Sequence, residues 1–363
     1  MKITHIDCGK DFRGGQRQAL ILHNGLIQRS YQSYFLCNRN GQLFKMNFLN
    51  KYGICFYNEL DLRSYIYLYK ILKKIEPDII QVHEAHGLSL VAFATLKSKI
   101  PIVSTRRVDT PIKKHLLNKF KYKNSNIKKW VAISNSVRKS LIDFGISSEK
   151  ILNIYSAVGN TNYNIHNPEL AFLSTKYKRN DNIIIGSILS FVHHKDPFTL
   201  IKVFDLLYKK YKKVKLLILG EGALKNSIIK IVNTLESKNN IIIMGFKDNV
   251  YDYLPLFDIF IITPKKEALC SSIIDALSMG KPVVATRTGG ISEIVKNNYN
   301  GFLNEVEDFE GLSNSLLKLI LNKKLYRSMS QNAYTSSNLF REDMLVNKYI
   351  NLYREILYEE RKP

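Results

Sequence analysis

Two carboxylates eight residues apart, Glu267 and Asp275, frame the stretch EALCSSIID. A carboxylate offers only acceptors, so the pair suits a ligand rich in hydroxyls, such as a sugar ring or a ribose diol. Between them Leu269, Cys270, Ser271 and Ser272 open a helix, whose first backbone N–H groups favour a diphosphate. Upstream, SFVHHKD places His193, His194 and Lys195 just past an apolar run, where Lys195 can act as a point charge for the same anion. Phe246, closing IIIMGF, could flank a flat nucleobase or belong to a core.

The first half of the chain carries a second set. Gly14 and Gly15 in DCGKDFRGGQRQ permit close backbone approach to a ligand. STRRVD brings Arg106 and Arg107 to a strand end, where they suit an anion or form a structural pair with Asp109. VHEAH holds His83 and His86 with a carboxylate between them, but a third metal ligand is missing and the chain has no Asp-x-Asp triplet, so no metal is expected.

Positioning these groups falls to alternating strands and helices. KITHID (2–7), QSYFLC (32–37), ICFYN (54–58), DIIQVH (78–83), PIVSTRR (101–107), WVAIS (130–134) and ILNIYSAV (151–158) read as strands, with helical patterns between them, including a helix over 88–98 and a basic one over 112–130. A second series runs IIIGSIL, KLLILGEG, IIIMGF, IFIITP, PVVATR and GFLNEV. Such alternation predicts parallel sheets covered on both faces, with ligands at the carboxyl ends of the strands. The polar stretch 161–182 reads as a linker, which sets domains over 1–160 and 183–338 and leaves 339–363 as a helix crossing back to the first. A length of 363 residues agrees with two domains.

Composition narrows the classes. With 45% hydrophobic residues the chain is expected to fold, and four cysteines without a C-x-x-C pair suit reduced thiols better than a disulfide frame. Asp7 interrupts the N-terminus before any leader-length apolar run, and no stretch has the length to span a bilayer, so a soluble cytoplasmic protein is expected. The net charge of +23 points to an anionic partner or to Lys-rich solvated helix faces. The segment IKKHLLNKFKYKNSNIKKW (112–130) mixes Lys with Leu116, Leu117, Phe120 and Trp130, which suits an anionic membrane or a helix packing its apolar stripe inward.

The run from Glu267 to Thr286 resembles the stretch E-G-x-x-x-S-x-x-E-A-M-A-x-G-K-P-V-V-A-T of the family-four retaining glycosyltransferases, with Glu267, Ser272, Ala276, Gly280, Lys281, Pro282 and Val283 to Thr286 in matching places. IGSILSFVHHKDPFTLI, LGEGALKNSI, MGFKDNVYDYLPLFDIFIITP and TGGISEIVKNNYNGFL follow in the family's order, and the likeness covers nearly the whole chain. It implies an α/β GT-B fold, two doubly wound Rossmann-like domains facing across a cleft. It also implies retaining transfer of a sugar from a nucleotide-diphosphate donor to a glycan or lipid-linked acceptor, without metal or other cofactor. Carried onto this sequence, it makes Glu267, Lys195, Arg107 and His86 the catalytic positions. Gly14, Gly15, His194, Phe246, Leu269, Cys270, Ser271, Ser272 and Asp275 become donor-binding. Cell-envelope polysaccharide synthesis, lipopolysaccharide included, at the inner face of the membrane is the expected setting.

Three positions depart from the pattern. Asp275 stands for a longer Glu, Ala268 and Cys270 stand for small glycines, and Leu189 stands where many relatives carry an Arg. A catalytically silent scaffold of the same fold is therefore the main competing expectation, with a nucleotide-sugar epimerase of like architecture behind it. A nucleic-acid-binding protein would use the charge, but no reading motif or regular aromatic platform accompanies the Lys runs, so no nucleic-acid partner is expected.

Overall fold

Short apolar runs that lack helical periodicity pair side by side because each is hydrophobic on both faces. The computed structural model describes residues 1–56, 58, 61–159, 168–177, 181–247 and 249–360. These fall into two compact units, one formed by the chain up to Gly159 with the residues from Arg341 onward, the other by what lies between.

The first unit holds a parallel sheet of β1 (Lys2–Asp7), β2 (Gln32–Asn38), β3 (Lys51–Ile54), β4 (Ile79–Val82), β5 (Ile102–Arg106), β6 (Ile127–Ala132) and β7 (Ile151–Asn153), in the order 3-2-1-4-5-6-7. The third strand lies earlier than the expected 54–58. Its parallel register runs from Phe35↔Lys51 to Asn38↔Ile54, and Arg39 N–H closes the ladder on the Ile54 carbonyl at 2.9 Å. The helix expected over 88–98 is Ala85–Ala94, started by Glu84, whose carboxylate accepts from Gly87 N–H. Gly14 and Gly15 are not loop residues; they begin the helix Gly14–Gln28.

The C-terminal helix Glu342–Glu360 belongs to this first unit. Val346, Tyr349 and Tyr353 join Ile3, Leu22, Ile79 and Val103 in one buried cluster. A polar ladder inside it is fully paired: Tyr353 donates to Gln81 Oε1 at 2.9 Å, Gln81 Nε2 to Thr105 Oγ1 at 3.0 Å, and Thr105 meets the Tyr349 hydroxyl at 2.8 Å. Gly25 lets the first helix approach this one, since a Cβ there would lie 2.4 Å from Val346.

The expected basic helix over 112–130 is corrected. Only Leu116–Tyr122 is helical, and Lys128, Lys129 and Trp130 lie in β6. Trp130 is buried, stacked on Tyr122 at 5.0 Å, while Lys128 and Lys129 pair with Glu360 and Glu355 at 2.7 and 3.2 Å. Lys121 is 3% exposed and donates to Ser89 Oγ at 2.8 Å. Leu116, by contrast, is 84% exposed, so no full apolar stripe packs inward.

The second unit repeats the topology with β8 (Ile183–Ile188), β9 (Val214–Leu219), β10 (Ile241–Gly245), β11 (Ile259–Ile262), β12 (Val283–Thr286) and β13 (Gly301–Asn304), in the order 10-9-8-11-12-13. Of the expected linker 161–182, residues 168–177 form the helix Pro168–Tyr177, whose Glu169 pairs with Lys247 at 2.9 Å; 161–167 and 178–180 lie outside the described residues.

Burial leaves His23, on the helix Gly14–Gln28, with a pKa lowered to about 4. The unfolded chain takes up a proton near pH 6.5 that the folded protein refuses, so this contribution is complete above pH 6.5 and drains away as the pH falls toward 4. Within that window the His23→Gln variant is expected to lose about 1.4 kcal/mol less stability per pH unit than the wild type. Urea unfolding at pH 7, 6 and 5 checks this, and parallel losses in both proteins would refute it.

Candidate active site

In an open parallel sheet the loops that follow the first and fourth strands in chain order diverge, and the gap between them takes the ligand. In the second unit those strands are β8 and β11, and Lys195 and Glu267 stand in the two loops. The loops are tied together: Lys265 N–H donates to the His194 carbonyl at 2.9 Å, and Thr263 Oγ1 to the Asp196 carbonyl at 3.1 Å. Across the gap Lys195 Nζ and the Glu267 carboxylate form a hydrogen-bonded ion pair, both side chains mostly buried. The loop after β12 closes the third side, with Gly290 N–H on the Glu267 carbonyl at 3.2 Å.

Beyond Glu267 the chain turns into the helix Ser271–Ser278 through Cys270, at φ +71 and without a side-chain cap. That left-handed conformation costs a residue with a Cβ about 1–2 kcal/mol, which explains why glycine is the residue expected at this place. Leu269 and Cys270 are buried, and burial pushes the Cys270 thiol up to about 12. Ser272 Oγ donates to the Ile188 carbonyl at 3.3 Å, and Ser271 opens the helix beside it.

Asp275 lies deeper than its expected role suggests. It is 1% exposed, and its Oδ1 accepts from the Tyr251 hydroxyl at 2.7 Å. Sequence reasoning did not single out Tyr251, which sits 24 residues upstream on a short turn; no local spacing links the two. Phe246 is 61% exposed past β10, and the His193 and His194 side chains are exposed as well. The GEG stretch is structural. A Cβ on Gly220, at φ +153, would lie 1.8 Å from the Leu189 carbonyl oxygen.

The first unit has its own divergence, between β1 and β4. Gly15 sits at the helix start with Arg107 across it, since a Cβ on Gly15 would lie 3.2 Å from Arg107 Cδ. Arg107 Nη2 donates to His83 Nδ1 at 3.3 Å. Arg106 faces the other way, buried against Ser140, Tyr122 and the Thr110 carbonyl, so the two arginines do not act together. His83 and His86 also part: His83 is buried, while His86 is exposed with its ring 5.8 Å from Phe56. Asp7 and Glu84 lie nearby, both pushed upward by burial, with oxygens engaged by Gly9 N–H at 2.9 Å and Cys8 N–H at 3.0 Å. Among the described residues no group of three His, Cys, Asp or Glu is arranged to hold a metal.

Two family models match this chain, "Glycosyltransferase Family 4" over residues 12–159 and "Glycosyl transferases group 1" over 172–336. The chain belongs to the family-four glycosyltransferases. Its two Rossmann-like units are those of the GT-B architecture. The N-acetyl-alpha-D-glucosaminyl L-malate synthase of Bacillus anthracis is 22% identical to it over 93% of this chain and 92% of its own. The capsular polysaccharide biosynthesis glycosyltransferase CapM of Staphylococcus aureus is 24% identical over 63% and 62% of the two chains. Among solved structures, Alr3699/HepE of Anabaena, determined in complex with UDP, superposes with a TM-score of 0.85 at 17% identity, over 98% of this chain and 100% of the other.

Because Asp275 is buried against Tyr251, a longer acid has to displace the tyrosine. Asp275→Glu is therefore expected to destabilise the protein by about 1–3 kcal/mol, and Tyr251→Phe, which strips a hydrogen bond from a buried carboxylate, by about 1–3 kcal/mol. Chemical denaturation measures both, and a fully stable Asp275→Glu protein would contradict this packing.

Proposed function

We propose that this glycosyltransferase moves a sugar, with retention of anomeric configuration, from a nucleotide-diphosphate donor to a glycan or lipid-linked acceptor of the cell envelope. The observation that carries the reading is the Lys195–Glu267 pair at the β8/β11 divergence, beside the N–H groups that open the helix Ser271–Ser278. A bound diphosphate takes over Lys195 and those amides, which releases Glu267 to accept from hydroxyls of the donor sugar. As the C1–O bond to phosphate breaks, Lys195 and the amides stabilise the charge left on the diphosphate. The acceptor oxygen bonds to C1 on the same face, and its proton passes to the leaving phosphate oxygen. Glu267 orients the sugar and is not the nucleophile. Asp275 is assigned to the ribose side of the site, where a ribose hydroxyl would have to take the place of its Tyr251 partner, and Phe246 offers a surface for the base. No metal is required, since charge neutralisation falls to Lys195 and backbone.

UDP in the Anabaena relative and the capsule-related name of the staphylococcal one support the donor class and the setting. Thermal shift against a panel of sugar nucleotides is the first test. A true donor at about 100 times its Kd adds roughly 2.7 kcal/mol of stability. With that donor, Glu267→Ala is expected to abolish turnover at unchanged circular dichroism, Lys195→Ala to cost about 10²–10³ in kcat, and EDTA to leave the wild-type rate intact. A silent scaffold binds a donor without turning it over, and activity lost in EDTA but restored by manganese would overturn the metal-free chemistry.

An anionic membrane surface is the proposed meeting place with the acceptor. Among the described residues no helix is long and apolar enough to cross a membrane. Leu62 and Ile66 stand exposed on the helix Leu62–Ile75, as do Leu116 and Phe120 on Leu116–Tyr122. The Ala85–Ala94 helix joins the two, its Phe93 ring 4.9 Å from Tyr65 and 4.8 Å from Phe120. Lys113, Lys114 and Lys119 are exposed alongside, and each contributes about 1 kcal/mol near an anionic leaflet. Replacing these three by Gln is expected to release the protein from anionic liposomes, and salt to do the same. Equal sedimentation of both proteins would remove the membrane from the reading.

A further inference from the structure

Arg107 is held by one protein hydrogen bond, to His83, and among the described residues it has no other hydrogen-bond or ion-pair partner. Its Nε is buried without a partner. A guanidinium can only donate, so His83 Nδ1 must be the acceptor and carry no proton. The neutral His83 ring then bears its proton on Nε2, which lies 2.9 Å from His5 Nδ1 and donates to it. His5 in turn carries its proton on Nε2, an atom that is buried with no partner among the described residues. One obligate donor at the strand end thus fixes the tautomers of two rings beneath it.

The strand order explains why these rings meet. β1 and β4 are neighbours, His5 lies two residues before the end of β1, and His83 N–H bonds the Ile6 carbonyl at 3.0 Å. Both rings are buried and stacked 5.2 Å apart, with His5 also stacked on Phe35 at 5.6 Å. Burial holds both imidazoles well below their usual pKa, so the chain of donors is intact at neutral pH. The groups around it are His23, edge-on to His5 at 5.6 Å, and Asp7, whose oxygens accept from Gly9 N–H and Gln16 Nε2 and which, with Tyr349, also interacts electrostatically with Arg107.

We propose that His83, backed by His5, is a positioning residue that holds Arg107 across the Gly14–Gly15 helix start, with its remaining donors ready for a phosphate oxygen of the substrates. The assignment of a phosphate ligand rests on the transferase reading; the tautomer assignment does not. Nitrogen-15 spectra of histidine-labelled full-length protein, assigned by substitution, test the latter alone. Both rings are expected to show a protonated Nε2 and a bare Nδ1, and a proton on Nδ1 of either overturns the arrangement.

The functional arm compares His83→Phe, which keeps a ring but cannot accept, with His83→Asn, whose amide oxygen can stand near the Nδ1 position. Calorimetry uses UDP as the diphosphate probe and phenyl phosphate as the monoester probe. His83→Phe is expected to weaken one of them about tenfold, and His83→Asn to recover most of the loss. A change with UDP assigns Arg107 to the donor, and a change with phenyl phosphate assigns it to a phosphorylated acceptor. Unchanged affinity for both probes in all proteins, no binding by the wild type, or an Asn variant no better than Phe overturns the positioning role.

Discussion

The central candidate groups in this protein depend on the divergence of loops in an all-parallel sheet. Crossover connections carry the chain one way from β1 through β3 and the other way from β4 onward, and β8 to β13 repeat the pattern. Loops that leave neighbouring strands for opposite faces cannot cover the gap between them. Side chains placed there keep access to a ligand while the strands below stay dry. Lys195 and Glu267 occupy one such gap, Gly15, His83 and Arg107 the other.

The two gaps manage charge differently. In the second unit a cation and an anion neutralise each other across the opening, and the pair is mostly buried. Breaking it is costly unless both partners are satisfied in another way. In the first unit the cation leans on neutral imidazoles. A histidine kept neutral by burial satisfies one guanidinium donor without cancelling its charge, and Asp7 acts on Arg107 electrostatically without a direct ion pair among the described residues. The formal +23 of the chain is a poor guide to either gap, since Lys121, Lys128 and Lys129 are absorbed by packing and by local partners.

Close backbone approach is the other shared constraint. Gly220 lets the loop after β9 touch the Leu189 carbonyl, and Leu189 N–H bonds the Leu219 carbonyl at 3.0 Å. Cys270 meets the same demand for a left-handed residue without being glycine, and so carries strain at the entrance to the Ser271–Ser278 helix. Its buried thiol is inert by the same burial that raises its pKa.

The sequence by itself determined the strands, their parallel pairing and the groups at their ends. Apolar runs, turn residues and the Glu267–Thr286 stretch are local signals, and local spacing survives folding. Strand edges drifted where local signals were weak, as at β3 and at Lys128 and Lys129 in β6, because pairing register with a neighbour sets them. Only the tertiary structure decided which side chains act together. His5 with His83 and Tyr251 with Asp275 join residues 78 and 24 positions apart, brought into contact by strand order and by packing against a buried helix. It also separated what the sequence had placed side by side: consecutive residues at a strand end point to opposite faces, so Arg106 is committed to the interior and Arg107 to the opening. Burial, which no spacing encodes, settled which of VHEAH's two histidines is a strut in the core and which is a surface residue.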